Sequence, residues 1–363
     1  AGGPRGSPAL QARAPRSSSV DSACAPVGGR TPSRPRRGEG ERAQSVGSPG
    51  EKGGRQMFDK NTLRKANREL FVRAIRRYQQ QELHLEPGAS PGPDLAVCTL
   101  RPGGRAVRVF VRKRPLFERE ESERGEYDVA TLVPGRPLTT QLVLHNCLFQ
   151  ADLKTPMIHH LHFEYDHVFG EAAQDHEVYR VAASDLVRSS CDGGVGTMFM
   201  FGQTGSGKTH TMTAIEAMAA QELFEGARGE PWLSLQFVEL CGNRCFDLLA
   251  AGPKDKRPEL RLREHADGSY VAEGAAQLQP QGPQELCSAL KAAHARRATS
   301  ATDANAVSSR SHAVCTIRLL GSQGQLVLAD CAGTERRKDS MYHSKERQQE
   351  GAEINASLHA LKE

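Results

Sequence analysis

The stretch from Gly202 to Thr209 has the residue types and the spacing of a phosphate-binding loop. Its sequence, GQTGSGKT, matches G-x-x-x-x-G-K-[ST] at every fixed position. Glycines let the backbone curl so that successive N–H groups point at phosphate oxygens, and the start of a following helix adds to the attraction. In such a loop Lys208 reaches the β- and γ-phosphates, and the Thr209 hydroxyl is a ligand of Mg²⁺. The pattern predicts a nucleotide site, but it does not separate an ATPase from a GTPase or a motor from a kinase.

The segments on either side of this loop have the character that the motif requires. Residues 195–201, VGTMFMF, form a short apolar run typical of a buried strand. Residues 209–224 are rich in Ala, Met, Glu and Leu, which favour a helix. A strand, a glycine-rich turn and a helix follow one another in the order that the motif requires. The alternative, a glycine-rich turn that binds nothing, is therefore the weaker interpretation.

Two further polar segments lie next to apolar strands. In LVLADCAGTER, residues 326–336, Asp330 ends an apolar run, where a carboxylate can coordinate Mg²⁺ through water. Gly333 can bring a backbone N–H close to a γ-phosphate. In NAVSSRSHAV, residues 305–314, hydroxyl groups crowd before another strand, and Arg310 can pair with Glu335. Taken alone, either segment is also compatible with an ordinary surface turn.

Together, these segments resemble the motor domain of the kinesins. GQTGSGKTHTM, NAVSSRSHAV and LVLADCAGTER stand in the order and approximate spacing of that family, and VRKRP at residues 111–115 is similar to its adenine-site motif. The resemblance covers roughly residues 107–363. It implies that the nucleotide is ATP. It also implies a P-loop α/β fold, with a central, mostly parallel-to-mixed sheet flanked by helices on both faces.

The same resemblance implies a role for individual residues around the nucleotide. The residues around the adenine would be Arg112, Arg114, Pro115 and His210. The residues that bind the phosphates would be Gly202, Gln203, Thr204, Gly205, Ser206, Gly207, Lys208 and Thr209.

Metal binding and catalysis are assigned by the resemblance as well. Thr209 and Ser309, together with Asp330 through water, would hold Mg²⁺. Ser308 would close on the γ-phosphate, beside the backbone of Gly333. The salt bridge between the two switch loops would join Arg310 to Glu335 and relay a proton through a second water.

Within the kinesins, the chain resembles the internal-motor, microtubule-depolymerising kinesin-13 family. The shared features are VRKRPL followed by charged residues, AIEAMAAQELF after the loop, and EGAEINASLHALKE at residues 350–363. The resemblance implies that the partners are tubulin and microtubules. It also implies a place in the cytoplasm on the microtubule cytoskeleton, with the spindle as a candidate location.

Three departures from that family bear on function. The family's P-loop helix is interrupted by a surface loop, whereas THTM here runs almost directly into AIEAMA. The Lys-Val-Asp finger of the depolymerising kinesins corresponds to QADL at residues 150–153, which keeps Asp152 and lacks the lysine. We also expect the chain to end inside the helix after the second switch. A kinesin that translocates or only tethers, and a non-catalytic microtubule-binding remnant, therefore remain alternatives.

Composition divides the chain into four parts. Residues 1–56 carry ten basic and four acidic side chains among many Gly, Pro and Ser residues, and we expect this tail to be disordered. Residues 57–83 predict an amphipathic helix, capped by Asn61 or Thr62. Residues 84–105 read as a Pro/Gly linker, and residues 106–363 as the motor domain. The predicted apolar face of the helix consists of Leu63, Ala66, Leu70, Ala74 and Tyr78.

The predicted helix is strongly basic. Residues 60–77 contain seven Lys and Arg side chains and a single acid, Glu69. This is either an ordinary solvated face or a surface for an acidic partner. The resemblance to kinesin-13, which has a positively charged neck at this place, favours acidic tubulin tails. Nucleic acid is the less favoured partner.

The remaining features restrict the class of protein. The nine cysteines are scattered and predict free thiols, and the close pair Cys241 and Cys245 is a weak candidate for zinc. No apolar run approaches the roughly 18 residues of a membrane span. Further strands are predicted at 107–111, 234–240, 313–320 and 325–330, and helices at 175–189, 209–224 and 284–297.

Overall fold

The structure is a computed structural model that describes residues 60–85, 107–135, 139–150, 152, 154–225, 232–242, 244–250, 258–264, 270–298 and 311–334. The helices are α1 (Lys60–Ala66), α2 (Arg68–Gln81), α3 (Glu118–Ser122), α4 (Asp175–Ala182), α5 (Ser184–Cys191), α6 (Lys208–Phe224) and α7 (Pro283–Ala298). The strands are β1 (Phe110–Arg112), β2 (Ala130–Val133), β3 (Gln141–Phe149), β4 (Pro156–Glu164), β5 (His167–Phe169), β6 (Val195–Met200), β7 (Leu233–Cys241), β8 (Arg244–Asp247), β9 (Glu259–Glu264), β10 (Tyr270–Glu273), β11 (His312–Leu319) and β12 (Gln325–Asp330).

A seven-stranded mixed sheet forms the centre of the fold. Its strand order is β10-β9-β8-β7-β11-β12-β6. The neighbours β12 and β6 are parallel, and the other neighbours in this sheet are antiparallel. Two smaller sheets consist of the parallel pair β1–β5 and the antiparallel strands β2-β3-β4. In the large sheet, parallel pairing thus occurs at the strand that leads into the glycine-rich loop.

Helices α4 to α7 pack on one face of the large sheet. Strand β11 buries Ala313, Cys315 and Ile317 in the cluster formed with these helices, while Val314 points to a second, smaller cluster on the other side. This alternation is what the two-residue period of a strand predicts. Helix α6 contacts α4, α5 and α7, and its Met212 is fully buried. The helix that follows the loop is therefore held firmly in the core.

Most predicted elements are present with small shifts of their ends. Strands β7, β11 and β12 and helices α6 and α7 lie within two residues of the predicted ranges. The helix predicted at 175–189 is divided into α4 and α5 at Ala183, an arrangement in which Tyr179 and Ser184 both bond Glu222 of α6. The strand predicted at 107–111 begins only at Phe110. The predicted tail, nearly all of the linker and residues 335–363 lie outside the described residues.

The predicted basic helix consists of two helices that pack on the three-stranded sheet. Helices α1 and α2 are separated by Asn67. The buried residues are Phe71 and Ile75, which contact Cys147, whereas Leu70 is 42% exposed. The predicted apolar face was wrong at Leu70 and Ala74, because the Phe71 ring fills the surface of the sheet, whereas the predicted Tyr78 does pack on it. The predicted capping residues were also wrong, since α1 already begins at Lys60.

Several positive charges of this helix pair are used inside the molecule. Lys65 lies 2.9 Å from a carboxylate oxygen of Glu126, and Arg68 lies 2.5 Å from one of Glu121. The Nε of Arg64 donates to a backbone carbonyl of β3. The charges that remain on the outer surface of α2 are those of Arg73, Arg76 and Arg77, all exposed. About half of the basic patch therefore serves to dock the helices.

The cysteines and histidines do not form a metal site in the part of the chain that the structure describes. Cys241 at the end of β7 is exposed, and Cys245 on β8 is buried. The described cysteines are free thiols, as predicted. In the same part of the chain, no helix is both long and apolar enough to cross a membrane.

A buried histidine joins α2 to the three-stranded sheet. The Nδ1 of His145 lies 2.7 Å from Nδ1 of His160, and its Nε2 lies 2.8 Å from Oγ1 of Thr131. The ring of Tyr78 on α2 stacks on His160 with centroids 3.6 Å apart, and its hydroxyl is 3.0 Å from Nε2 of His162. Burial, and then the neighbouring His160, lower the pKa of His145 to about 4. Burial also lowers the pKa of His160. The docked helix therefore depends on neutral imidazoles.

We expect acid to weaken this contact. Between the ordinary histidine pKa of 6.5 and the value of about 4 for His145, the unfolded chain binds more protons than the folded chain. The free energy of unfolding therefore falls as the pH falls, by about 2 kcal/mol from about pH 7 to about pH 5. Urea unfolding measures this loss.

Two variants separate His145 from the other histidines. His145→Gln removes the titrating ring, so its loss of stability between the two pH values should be smaller than that of the wild type. His159→Gln changes an exposed ring on the same strand as His160 and should keep the wild-type dependence. Equal losses in His145→Gln and the wild type would contradict the assignment.

Candidate nucleotide site

The glycine-rich loop connects the end of β6 to the start of α6. Gly207 has φ 92° and lies directly before Lys208, where the helix begins. This left-handed conformation favours glycine. At Gly202 the φ of 149° is one that L side chains rarely adopt, and a Cβ atom would lie 2.5 Å from the Oγ of Ser206, which would have to move. The glycines at the two ends of the motif are thus required by the backbone path that turns the loop into the helix.

Lys208 lies inside the loop and is 8% exposed. Its ammonium group donates to the carbonyl oxygens of Gly202 at 2.8 Å and Gln203 at 3.0 Å. These bonds hold the positive charge at the concave side of the loop, beside the N-terminus of α6. Lysine and helix start therefore present positive charge at one place, as an anion such as phosphate requires.

The predicted metal residues Thr209 and Asp330 are in direct contact. Strands β12 and β6 are parallel, with Asp330 opposite Met200, so Asp330 emerges beside the loop. The Thr209 hydroxyl donates to Oδ2 of Asp330 at 2.7 Å. The backbone N–H of Thr334 donates to the Gly202 carbonyl at 3.2 Å, which fixes the segment after β12 against the loop.

The donor set fits a magnesium ion. Oδ1 of Asp330 is buried and has no hydrogen-bond partner among the described residues. A buried carboxylate oxygen without a partner is unfavourable unless an ion or water satisfies it. Hydroxyl and carboxylate oxygens are ligands that Mg²⁺ takes, with water completing the shell.

Sequence reasoning missed Arg297, which bonds the same oxygen of Asp330 as Thr209 does. Arg297 on α7 is 1% exposed, and its Nη1 donates to Oδ2 of Asp330 at 2.5 Å. Its Nη2 donates to the backbone carbonyl of Ser311 at 2.5 Å. The Ser311 hydroxyl donates in turn to Glu239 of β7 at 2.6 Å. A signal was present in the sequence, because Arg297 continues the buried stripe of Leu286, Leu290 and Ala293 on α7.

Charges in this network alter neighbouring pKa values. Burial, and then the charge of Asp330, raise the pKa of the Cys331 thiol to about 11. Burial, and then the positive charge of Arg297, lower the pKa of His312. At neutral pH, a thiol and an uncharged imidazole therefore flank Asp330, and the nearby charges are those of Arg297 and Lys208.

The predicted adenine residues are only partly brought together. Arg112 donates to the Thr211 hydroxyl at 3.0 Å, beside His210 on the first turn of α6, and pairs with Asp175 at 2.7 Å. Arg114 instead forms two hydrogen bonds of 2.7 Å with Glu120. This pairing lowers the pKa of Glu120 to about 2. Pro115 and His210 are exposed.

The catalytic predictions fall mainly on residues that the structure does not describe. Ser308, Ser309, Arg310 and Glu335 lie outside the described residues. Gly333 is described and is buried three residues after Asp330. Its place beside the loop is compatible with the predicted backbone contact to a phosphate.

Replacing Arg297 should destabilise the protein strongly. Arg297→Met leaves the Asp330 carboxylate buried without its positive partner, so we expect the free energy of unfolding to fall by about 3–5 kcal/mol. Lys291→Met, at an exposed position of the same helix, should change it by less than about 0.5 kcal/mol. Urea unfolding of both variants compares them. Equal stabilities would show that Arg297 does not compensate the charge of Asp330.

Comparison with known proteins agrees with this geometry. A family model described as the kinesin motor domain matches residues 112–363. The "Kinesin-like protein KIF24" of Mus musculus is 35% identical over 272 residues, which cover 71% of this chain and 19% of that protein. "Diatom spindle kinesin-1" of Cylindrotheca fusiformis is 32% identical over 302 residues, which cover 81% of this chain and 46% of that protein. The chain thus spans less than half the length of these relatives.

A solved structure has the same fold. It is a KIF14 dimer in the two-heads-bound state, with AMP-PNP and in complex with a microtubule. The TM-score is 0.55 at 28% identity, with 70% of this chain and 75% of that chain covered. From the matched family pattern, the relatives and the fold, we conclude that this chain belongs to the kinesin family, whose motor domains are ATPases.

Proposed function

We propose that this chain binds and hydrolyses ATP with Mg²⁺ and uses the reaction to act on microtubules. The observation that carries the proposal is the contact of Thr209 and Arg297 with the same oxygen of Asp330, directly beside Lys208 and the glycine-rich loop. Three elements that are distant in sequence converge there on one carboxylate. Such a convergence supports a metal–nucleotide site better than it supports an ordinary turn.

The residues around the loop have separate roles in phosphoryl transfer. Lys208 and the backbone of residues 203–209 would bind the phosphates, and Thr209, Ser309 and Asp330 (through water) would hold the metal. When bound, Mg²⁺ neutralises charge on the phosphate oxygens. Ser308 and the Gly333 backbone would face the γ-phosphate.

Arg310 and Glu335 would form the pair that completes the site when ATP is bound. Phosphoryl transfer depends mainly on positioning and on charge stabilisation. Loss of this pair should therefore reduce hydrolysis more than it reduces nucleotide binding.

The adenine occupies the surface near the first turn of α6 in this proposal. Arg112 bridges β1 to that turn through Thr211, and His210 is exposed next to it. Arg114 is held in a fixed plane by Glu120 and lies over the Phe117 ring at 4.7 Å. Pro115 follows it on the surface. These groups offer flat faces on which a base can stack.

Microtubules are the partner that the relatives support. One relative is named a spindle kinesin, and the similar solved structure is described in complex with a microtubule. The exposed Arg73, Arg76 and Arg77 of α2 offer a positive surface for the acidic tubulin tails. By this proposal the protein acts in the cytoplasm on the cytoskeleton, including the spindle.

The finer proposal is a depolymerising activity of the kinesin-13 type. The hairpin between β3 and β4 has Asp152 at its tip. The Asp152 carboxylate accepts backbone N–H bonds from Lys154 and Thr155 and a hydroxyl bond from Thr155 at 2.6 Å. These bonds, with the Thr155 hydroxyl first, lower its pKa to about 2. The tip is thus shaped by Asp152 itself, as a protruding finger requires.

A specific feature of the same tip favours a second candidate. Gln150 stands where the depolymerising family carries the finger lysine. A translocating or tethering kinesin has no need of that lysine, so translocation or tethering remains the alternative activity.

ATP turnover tests the enzymatic part of the proposal. Lys208→Ala should abolish binding of a fluorescent ATP analogue. Glu335→Ala should retain this binding but lower turnover at least about 100-fold. Phosphate release is measured with and without microtubules, with Lys291→Ala as the control on an exposed surface. Wild-type turnover in Glu335→Ala would contradict the assigned switch pair.

Microscopy of stabilised microtubules tests the mechanical part. The depolymerising proposal predicts ATP-dependent shortening from the ends, and Asp152→Ala should slow it because the tip loses its internal hydrogen bonds. Gliding of microtubules over the protein-coated surface without shortening would contradict the depolymerising activity and support translocation. Turnover without stimulation by microtubules, and without either movement, would favour a tethering role, whereas nucleotide binding without turnover would favour a non-catalytic one.

A further inference from the structure

A buried carboxyl group on α6 meets a half-buried imidazole on α7. Glu216 on α6 is 3% exposed, and its Oε2 lies 2.6 Å from Nε2 of His294 on α7. The edge of the His294 ring meets the ring of Phe237, with centroids 5.2 Å apart and planes at 84°. Burial raises the pKa of Glu216, while the hydrogen bond from His294 opposes that shift. The phosphate-site residues assigned above do not include either partner.

Stability alone is a poor reason for such a pair. Apolar residues of similar size often replace a buried ion pair without loss of stability, because desolvation offsets the attraction. Much of the surroundings of this pair is apolar, since α6 and α7 also bury Met212, Ile215, Leu286 and Leu290 there, and the charges of Asp330 and Arg297 are near enough to act on Glu216. A hydrogen-bonded pair differs from an apolar contact in one respect: it fixes the relative position of two helices.

The pair lies on the same helix faces as the residues that hold Asp330. On α6, Glu216 comes seven residues after Thr209, which is two turns along the same face. On α7, His294 comes three residues before Arg297, which is one turn away. Thr209 and Arg297 both donate to Oδ2 of Asp330. Among the described residues, α6 and α7 are therefore connected through Asp330 and through the bond between Glu216 and His294, besides a weak bond from the Cys287 thiol to the Ala217 carbonyl at 3.9 Å.

The continuous course of α6 makes this second contact effective. The helix runs without interruption from Lys208 to Phe224. A rigid helix carries a displacement at Glu216 to Thr209 with little loss. The same holds on α7 between His294 and Arg297, where Arg297 is fixed further by Ser311.

We propose that Glu216 and His294 are positioning residues that hold α7 against α6 so that Arg297 stays on Asp330, and thereby determine how tightly the site retains a metal-bound nucleotide. The second half of this inference rests on the proposed nucleotide function. The first half concerns the protein alone.

The release of a fluorescent ADP analogue tests the effect on the site. The double variant Glu216→Leu with His294→Phe replaces the pair by apolar groups of similar size and should remain folded. We expect it to release the analogue about ten-fold faster than the wild type in Mg²⁺, by analogy with other residues that orient metal ligands. In excess EDTA the two release rates should coincide, because the metal no longer contributes.

Two further variants separate positioning from general packing. Glu216→Gln can still accept a hydrogen bond from His294 and should release the analogue at nearly the wild-type rate in Mg²⁺. Leu290→Val weakens the packing of α7 near the pair without touching a polar group, and it should leave the release rate unchanged even if the protein melts at a lower temperature. Wild-type release by the folded double variant, or an equal acceleration by Leu290→Val, would overturn the proposal.

A measurement without nucleotide keeps the two halves separate. Urea unfolding gives the loss of stability caused by Arg297→Met in the wild type and in the double variant. If Glu216 and His294 position Arg297, the loss should be smaller in the double variant, because Arg297 is no longer held in place. Equal losses would overturn the positioning role. A smaller loss in a protein that binds no nucleotide would instead contradict the proposed function and leave the positioning role standing.

Discussion

The shared bond of Thr209 and Arg297 to one oxygen of Asp330 is the contact on which the site depends. Thr209 begins the P-loop helix, Asp330 ends the parallel neighbour of the P-loop strand, and Arg297 comes from the buried stripe of α7. Each donor arrives from a different element, so the contact exists only if the strand register and the packing of both helices are correct. The register opposes Asp330 to Met200, and a shift of one residue would turn the carboxylate to the other face of the sheet.

The helix after the P-loop differs from the one that the resemblance to kinesin-13 implies. In that family a surface loop interrupts the helix, whereas α6 here is continuous over 17 residues. A continuous helix leaves no loop to absorb a displacement between the phosphate site and the far end of α6. It also brings Glu222 to Tyr179, Ser184 and Arg188, which fixes α4 and α5 on the same helix. The helix therefore joins the nucleotide loop to three neighbouring helices.

The basic helices upstream of the motor have two electrostatic roles at once. Lys65 and Arg68 pair with acids that belong to the motor itself, while Arg73, Arg76 and Arg77 stay in solvent. Exposed ion pairs of this kind contribute little to stability, so Phe71 and Ile75 provide most of the attachment. Because α2 is docked on the three-stranded sheet, the exposed charges of Arg73, Arg76 and Arg77 are held in fixed positions. An acidic partner would therefore bind to arginines whose relative positions the packing of α2 on the sheet already determines.

The sequence by itself determined the local features, and the tertiary structure decided which side chains of distant elements contact each other. Gly202, Gly207, Lys208 and Asp330 could be identified because their roles depend on short-range backbone geometry and on position at the end of an apolar run. The positions of α6, α7, β11 and β12 followed from periodicity for the same reason. Arg297 continues the apolar stripe of α7, which the sequence does reveal, but its partner Asp330 cannot be read from that stripe. Glu216 and His294 could not be identified in this way, because an isolated polar residue on a helix reads as solvated until its partner is known. On α2 the burial of Phe71 in place of Leu70 was likewise missed, since both are apolar and only the shape of the facing sheet distinguishes them. Long-range partners of polar side chains depend on how whole elements pack, which no local pattern contains.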